Sequence, residues 1–290
     1  MEISIPSRYS IGWFSTGQDK AARDLLEDVY KNIINNSRCA PKGIPTIRIS
    51  YVFCNREEGE GEESDRFIAL VKGLGIPIIS FSSWGFKSDM RRLGRHDHKI
   101  LKKWRREYDR EVVKRLNYDV DLILLVGYML IVGDEMCKRY DMINLHPSAP
   151  NGPAGTWQEV IWRLIEERKD ETGVMMHLVT EELDKGPPIS YCTFPIKDDP
   201  FDRLWKRVEE RLKSQSLQEV IKEDGETNSL FNAIRQQGVI REPLLIIYTL
   251  KGITEGKIRI KDKKVVDERG SYINGLCLNR EIESYLSITS

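Results

Sequence analysis

Met142-Ile143-Asn144-Leu145-His146-Pro147-Ser148 is the stretch on which the reading of this chain turns. An apolar lead runs directly into two polar residues, and a proline then stops regular structure. If the lead is a strand, Asn144 and His146 share a face, because side chains two apart along a strand point the same way. Pro147 holds His146 extended. An amide donor beside an imidazole at a strand end suits a reaction that builds negative charge on a carbonyl oxygen. The amide can hydrogen-bond the oxyanion, and the imidazole can donate to it or move a proton. The plainer reading of the same residues is a loop with one buried polar pair.

Further along, Val179-Thr180-Glu181-Glu182-Leu183-Asp184-Lys185-Gly186-Pro187 follows an expected strand, and Gly186-Pro187 marks a turn. Asn-x-His-Pro-Ser, followed by Leu-Asp-x-Gly-Pro, resembles the folate-dependent formyltransferase family. Within it, the nearest likeness is to the enzymes that formylate glycinamide ribonucleotide in purine synthesis. The likeness covers roughly residues 9–200. It implies a catalytic group of Asn144, His146 and Asp184, with Asp184 holding His146 charged. It also implies a pocket for 10-formyltetrahydrofolate, used as co-substrate and without a metal. Gly127, Tyr128, Met129, Leu130 and Ile131 would form that pocket with Val179, Thr180 and Glu181. Gly17, Gln18 and Asp19, with Met129 and Pro147, would hold the acceptor. Asp19 stands near where the family usually has a neutral asparagine. The family also carries a histidine at His177, beside the catalytic group.

The elements around these motifs predict an α/β protein with a doubly wound, mostly parallel, Rossmann-like sheet and a C-terminal extension. Tyr9–Phe14 reads as a first strand, 15–19 as a turn, and the stripe Ala21, Ala22, Leu25, Leu26, Val29, Tyr30 and Ile33 as a helix. A strand, a glycine turn and a helix start offer backbone N–H groups to a phosphate, with Lys20 and Arg23 adding charge. Residues 46–54 alternate as a second strand. The acidic run from Glu57 to Asp65 reads as a solvated loop before a helix through Phe67, Leu70 and Val71. Ile76 to Phe81 is a short buried strand. Asp121 to Tyr128 is a continuous apolar strand of the kind found at the centre of a parallel sheet. Gly127 would let a flat ring approach the backbone. In such a sheet ligands bind beyond the carboxyl ends of the strands. The glycine turn, the 127–131 segment and the Asn144–His146 pair all fall on that edge.

Between Arg91 and Arg115 eleven lysines and arginines stand against four acids, and Leu101, Trp104, Tyr108, Val112 and Leu116 recur at helical spacing. This is either a basic rim for an anionic substrate or a solvated helix face. His96 and His98 read as solvent-facing. Thr156 caps a helix running to about Arg168. Gly173 to Thr180 and Pro188 to Ile196 read as strands, the second antiparallel and near the sheet edge. One helix is expected from Asp199 to Lys222 and another over 228–237. A last helix starts at Glu242-Pro243, and a hairpin pairs Ile258-Arg259-Ile260 with Val265-Val266. The domain expectation is a catalytic domain over 1–230, with 231–290 packed on it as a helix-and-hairpin extension.

The 290 residues carry 45 basic and 45 acidic side chains, so net charge gives no argument for nucleic acid or an anionic membrane as partner. The five cysteines, Cys39, Cys54, Cys137, Cys192 and Cys277, show no metal-like spacing and fit a reduced compartment. No apolar run approaches the ~20 residues of a membrane span, and Met1 to Pro6 has no signal-peptide pattern. The expectation is a cytoplasmic enzyme acting on a small-molecule amine, a ribonucleotide first. Its oligomeric state is left open, a homodimer among the options. The rival readings are a formyltetrahydrofolate hydrolase, a sugar-nucleotide formyltransferase and a non-enzymatic folate-binding protein. The hydrolases resemble HHS where this chain has HPS, and they usually carry a regulatory domain before the first strand, expected here near Tyr9.

Overall fold

The computed structural model describes residues 8–38, 45–182 and 184–289. Cys39, Leu183 and the Met1 to Pro6 stretch lie outside the described residues. The chain divides into two compact units, the first comprising Met1–Leu145, His177–Pro187 and Leu250–Ile273, the second His146–Met176, Pro188–Thr249 and Asn274–Ser290.

The first unit holds five parallel strands: β1 (Arg8–Ser15), β2 (Thr46–Cys54), β3 (Ile78–Ser80), β4 (Leu122–Leu125) and β5 (Met142–His146, the last residue counted with the second unit). β1 pairs with β2 on one side and β4 on the other, β2 pairs with β3, and β4 with β5. The order is therefore 3-2-1-4-5, in which the winding reverses between β1 and β4, where a doubly wound sheet opens its ligand crevice. Every residue of β4 is buried, as expected of a central strand. Helices α1 (Lys20–Arg38) and α2 (Glu62–Gly73) connect the first three strands. The acidic run is not all loop: Glu62, Glu63 and Asp65 form the first turn of α2, where the helix dipole favours negative charge.

The basic segment folds as two helices, α3 (Ser88–Gly94) and α4 (His98–Arg115). Asp97 separates them and caps α4 by accepting from the Lys99 and Ile100 amides. Trp104 and Tyr108 stack 5.1 Å apart and bury against Phe14, Phe53 and Ile123, which fixes α4 on the sheet. Much of its positive charge is paired: Lys87 with Glu107, Arg106 with Asp134, Arg110 with Glu135, and Lys114 and Arg115 with Glu111. Asp134 and Glu135 belong to α5 (Asp134–Arg139), a short helix that the sequence reading did not anticipate.

The second unit contains α6 (Trp157–Glu166), which starts at the expected cap Thr156, closed reciprocally by Glu159. β6 (Glu171–Leu178, its last two residues counted with the first unit) and β7 (Pro188–Pro195) run antiparallel, with Ile196 N–H bonded to Asp170 O. β7 lies near the sheet edge as expected, with the two-residue β10 (Leu276–Cys277) paired outside it in parallel. The single helix expected over 199–222 is two, α7 (Asp202–Leu212) and α8 (Leu217–Asp224), the second started by a Ser216–Glu219 capping box. α9 (Ser229–Val239) then packs Phe231 and Ile234 against Val160, Ile161, Leu164 and Trp205.

Of the C-terminal part, α10 (Glu242–Thr254) begins where expected. The hairpin of β8 (Ile258–Lys261) and β9 (Lys264–Asp267) has the expected register, Arg259 opposite Val266 and Ile260 opposite Val265. Its two turn residues, Asp262 and Lys263, both adopt positive φ, the geometry of a tight hairpin turn. Lys263 Nζ donates to Tyr140 O and Asp141 Oδ1, both at 2.7 Å, and so ties the hairpin to the lead into β5. α11 (Asn279–Thr289) was not anticipated. Cys54, Cys137, Cys192 and Cys277 are free thiols. Among the described residues no helix is long and apolar enough to cross a membrane.

Candidate active site

β5 brings Asn144 and His146 to the carboxyl end of a parallel strand, two residues apart as the sequence predicts. The first unit builds around Asn144. Its Nδ2 lies 3.0 Å from His177 Nε2, and His177 Nδ1 lies 3.0 Å from Leu178 O. A carbonyl only accepts, so Nδ1 carries a proton. In the neutral ring Nε2 is then an acceptor, and the Asn144 amide donates to it. The ring is 3% exposed. The strand end that carries it is bonded to β5 through Val179 N–H and Met142 O, 2.8 Å.

Asp184 Oδ1 stands 3.6 Å from His177 Nε2, too long for a hydrogen bond, and the contact is an ion pair only when the ring is protonated. Asp184 adopts φ 54°, a left-handed conformation that aspartate and asparagine tolerate better than other side chains. Gly186, in the same Leu-Asp-x-Gly-Pro motif, presses on Leu178 O, the carbonyl that fixes the His177 tautomer. A Cβ there would come within 1.6 Å of that oxygen. The glycine of the motif is thus required by close packing.

In the second unit His146 is buried, and its Nε2 lies 3.0 Å from Pro153 O. The carbonyl again requires the nitrogen to donate, so Nε2–H is committed and any further proton goes to Nδ1. Pro153 sits on a tight loop. Gly152 N–H bonds Ala149 O, and a Cβ on Gly152 would come within 2.1 Å of Ser148 Oγ. The Pro153 carbonyl is a partner that no sequence motif announced.

The 127–131 segment crosses the opening between β1 and β4. Thr16 N–H bonds Gly127 O at 2.9 Å, and Thr16 Oγ1 accepts from Met129 N–H at 2.8 Å. Gly127 has φ +64°, which is the backbone reason for a glycine there. Tyr128 turns inward against Phe14 and Phe53, whereas Met129 faces outward, 48% exposed. Leu130 and Val179 pack on the same core as Tyr128. Ile131 and Thr180 are half-buried, and Glu181 is exposed and paired with Lys138.

At the β1–α1 turn, Asp19 Oδ1 accepts from Ala22 N–H at 2.9 Å, capping α1. Lys20 is paired with Asp24, and Arg23 with Glu63. Gly17 has φ +60°, and its missing Cβ makes room for Phe67, 2.7 Å from where the atom would sit. Gln18 is exposed beside it and Pro147 half-buried. The cap was legible in the sequence, since an aspartate directly before a helical stripe is a start signal.

The family described as formyl transferase matches residues 74–221, just over half of the chain. The chain is 33% identical over 147 residues to phosphoribosylglycinamide formyltransferase of Haemophilus influenzae, a match covering 49% of this chain and 54% of that protein. It spans about half the length of the first relatives it matches. The fold is similar to the structure of phosphoribosylglycinamide formyltransferase from Coxiella burnetii in complex with CHES (TM-score 0.60, 17% identity, 93% of this chain and 99% of that one). It is also similar to a formyltetrahydrofolate deformylase from Pseudomonas syringae pv. tomato (TM-score 0.54, 18% identity, 91% and 67%). The fold is therefore α/β with a mostly parallel sheet, as read from the sequence, and is common to proteins named for transfer and for deformylation.

Proposed function

The chain belongs to the formyl transferase family, and from that premise we propose that it transfers a formyl group from 10-formyltetrahydrofolate to a primary amine, with glycinamide ribonucleotide as acceptor. The observation that carries this reading is the polar group at the β5 end: Asn144 donating to His177, Asp184 at ion-pair distance from the same ring, and His146 two residues beyond Asn144.

The acceptor nitrogen attacks the formyl carbon and gives a tetrahedral intermediate. The Asn144 amide and a protonated His146 stabilise its oxyanion. With Nε2–H committed to Pro153, the His146 proton that meets the oxyanion is the one on Nδ1. Asp184 takes the proton released by the amine, through water. Collapse expels the folate nitrogen, which takes back through the same water the proton that Asp184 accepted. No covalent enzyme intermediate is needed. The folate lies along 127–131 and 179–181, where Met129 offers an exposed apolar side chain.

The ribonucleotide is supported by the names of the relatives and by the strand–turn–helix at Gly17-Gln18. The Asp19 carboxylate opposes it, since it already occupies the N-terminus of α1. Steady-state formyl loss, measured with and without glycinamide ribonucleotide and with other amines, tests the reading. Acceptor-dependent turnover supports transfer. Equal turnover without acceptor moves the chain to the hydrolases, and a sugar-nucleotide amine outrunning the ribonucleotide changes the acceptor.

A further inference from the structure

Between β4 and α5, residues 127–133 lie in neither a helix nor a strand. Such a segment needs other partners for its amides. Thr16 supplies them at the start. At the far end the Gly133 N–H donates to Asp109 Oδ2. Asp109 is 3% exposed and stands on α4, the helix fixed to the sheet by the Trp104–Tyr108 stack. Gly133 has no side chain because a Cβ there would come 2.5 Å from Asp109 Oδ2. Its φ is −83°, which any residue adopts, so the glycine is required by the carboxylate and not by the backbone.

We propose that Asp109 is a positioning residue for the folate, acting through Gly133 to hold the 127–133 segment in its binding shape. The inference rests on the reading that this segment is the folate pocket. Asp109 touches neither folate nor acceptor in this account, so it acts through the backbone alone. Two ion pairs flank it on the same helices, Arg106–Asp134 at 3.5 Å and the bidentate Arg110–Glu135, both partly or fully exposed, where solvent screens them. The buried carboxylate is the contact that fixes the position.

Burial pushes the Asp109 carboxyl up to about 7, against the opposing pull of the Gly133 hydrogen bond and of Arg105. The charged and titratable groups facing it are Arg105 and Tyr108 from α4, Tyr128 from the pocket segment, and Asp134, Glu135 and Cys137 from α5. An ionised carboxylate is a stronger acceptor than a neutral one. The hold on Gly133 therefore tightens as pH rises through neutrality.

The test is binding of tetrahydrofolate, followed by tryptophan fluorescence, together with separate KM values for 10-formyltetrahydrofolate and the amine. Asp109→Ala should weaken folate binding about ten-fold or more, the size of one lost charge-assisted hydrogen bond, with a smaller change in the KM of the amine, which meets this segment only at Met129. Asp109→Asn keeps an acceptor for Gly133 and should restore most of the affinity while flattening its pH dependence around neutrality. Gly133→Ala should reproduce the loss without touching Asp109. Combined with Asp109→Ala it should cost nothing further, because the clash is gone. Folate affinity unchanged in Asp109→Ala and in Gly133→Ala, or folate and amine constants moving by the same factor, overturns the inference and leaves the functional reading standing. Wild-type protein that binds no tetrahydrofolate overturns the functional reading, and the inference with it.

Discussion

Replacing Asn144 by alanine should remove two interactions at once, and the two have different readouts. The Asn144 amide donates to His177 Nε2 at 3.0 Å, and that ring is 3% exposed. Losing that buried hydrogen bond costs about 0.5–1.5 kcal/mol of stability. The same amide is the proposed oxyanion donor, and loss of one such donor costs about 2.7–4 kcal/mol, roughly a hundred- to a thousand-fold in kcat. Urea unfolding reads the first number and acceptor-dependent formyl loss the second. A His177→Ala background separates direct from indirect action. If Asn144 acts on the oxyanion itself, Asn144→Ala still lowers kcat about a hundred-fold in that background, while the stability terms couple by about 0.5–3 kcal/mol. A folded Asn144→Ala protein with near wild-type kcat would refute the reasoning. So would an effect on kcat that vanishes once His177 is gone.

Other substitutions test the remaining parts. Asp184→Asn and Asp184→Ala should both lower kcat by about a hundred-fold or more. Only the alanine should lose a further ~1 kcal/mol of stability, because position 184 is left-handed at φ 54°. Asp19→Asn keeps the cap on Ala22 N–H and removes a negative charge, so affinity for a phosphate-bearing amine should rise or hold, and should fall with added salt. Abolished binding in Asp19→Asn would instead mean that the carboxylate grips a hydroxyl or an amine. The Asp109 carboxyl, ordinarily near 3.8 and about 7 here, binds its proton more tightly in the folded state. Its contribution to stability is therefore greatest below about pH 4, declines as pH rises to about 7, and is flat above, a change of order 4 kcal/mol at most. Asp109→Asn should remove that slope, so its stability gain over wild type should be larger at pH 8 than at pH 5 by urea unfolding, each pH chosen to lie about a unit or more from those two limits.

Much of this architecture was legible because it is periodic. The alternation at Thr46–Cys54 and the stripe from Ala21 to Ile33 each became the expected element, whereas the apolar run at Asp121 to Tyr128 forms a strand over Leu122–Leu125 alone. Asn144 and His146 were legible because the strand period of two placed them on one face. Apart from α11, the misses are short or charged. α5 has six residues and shows no period, and β10 has two. The breaks between α3 and α4 and between α7 and α8 occur at a cap, Asp97 and Ser216, inside stretches whose charge pattern looks continuous.

Within the site, the residues carrying motifs were found and their partners were not. The sequence offers His177 as a candidate, but nothing in it shows that one ring nitrogen accepts from the Asn144 amide and the other donates to the Leu178 carbonyl. The Pro153 carbonyl on His146 and the Asp109 carboxylate on Gly133 are contacts to backbone groups, which every residue has and no pattern distinguishes.

The most direct test of formyl transfer follows the group itself. Purified protein is given 10-formyltetrahydrofolate labelled with 13C in the formyl carbon, together with glycinamide ribonucleotide, and the label is traced by NMR. The account predicts that the label appears as an amide on the acceptor, that omitting the acceptor stops its loss, and that His146→Ala stops it as well. Label released as free formate at the same rate with and without acceptor would contradict it.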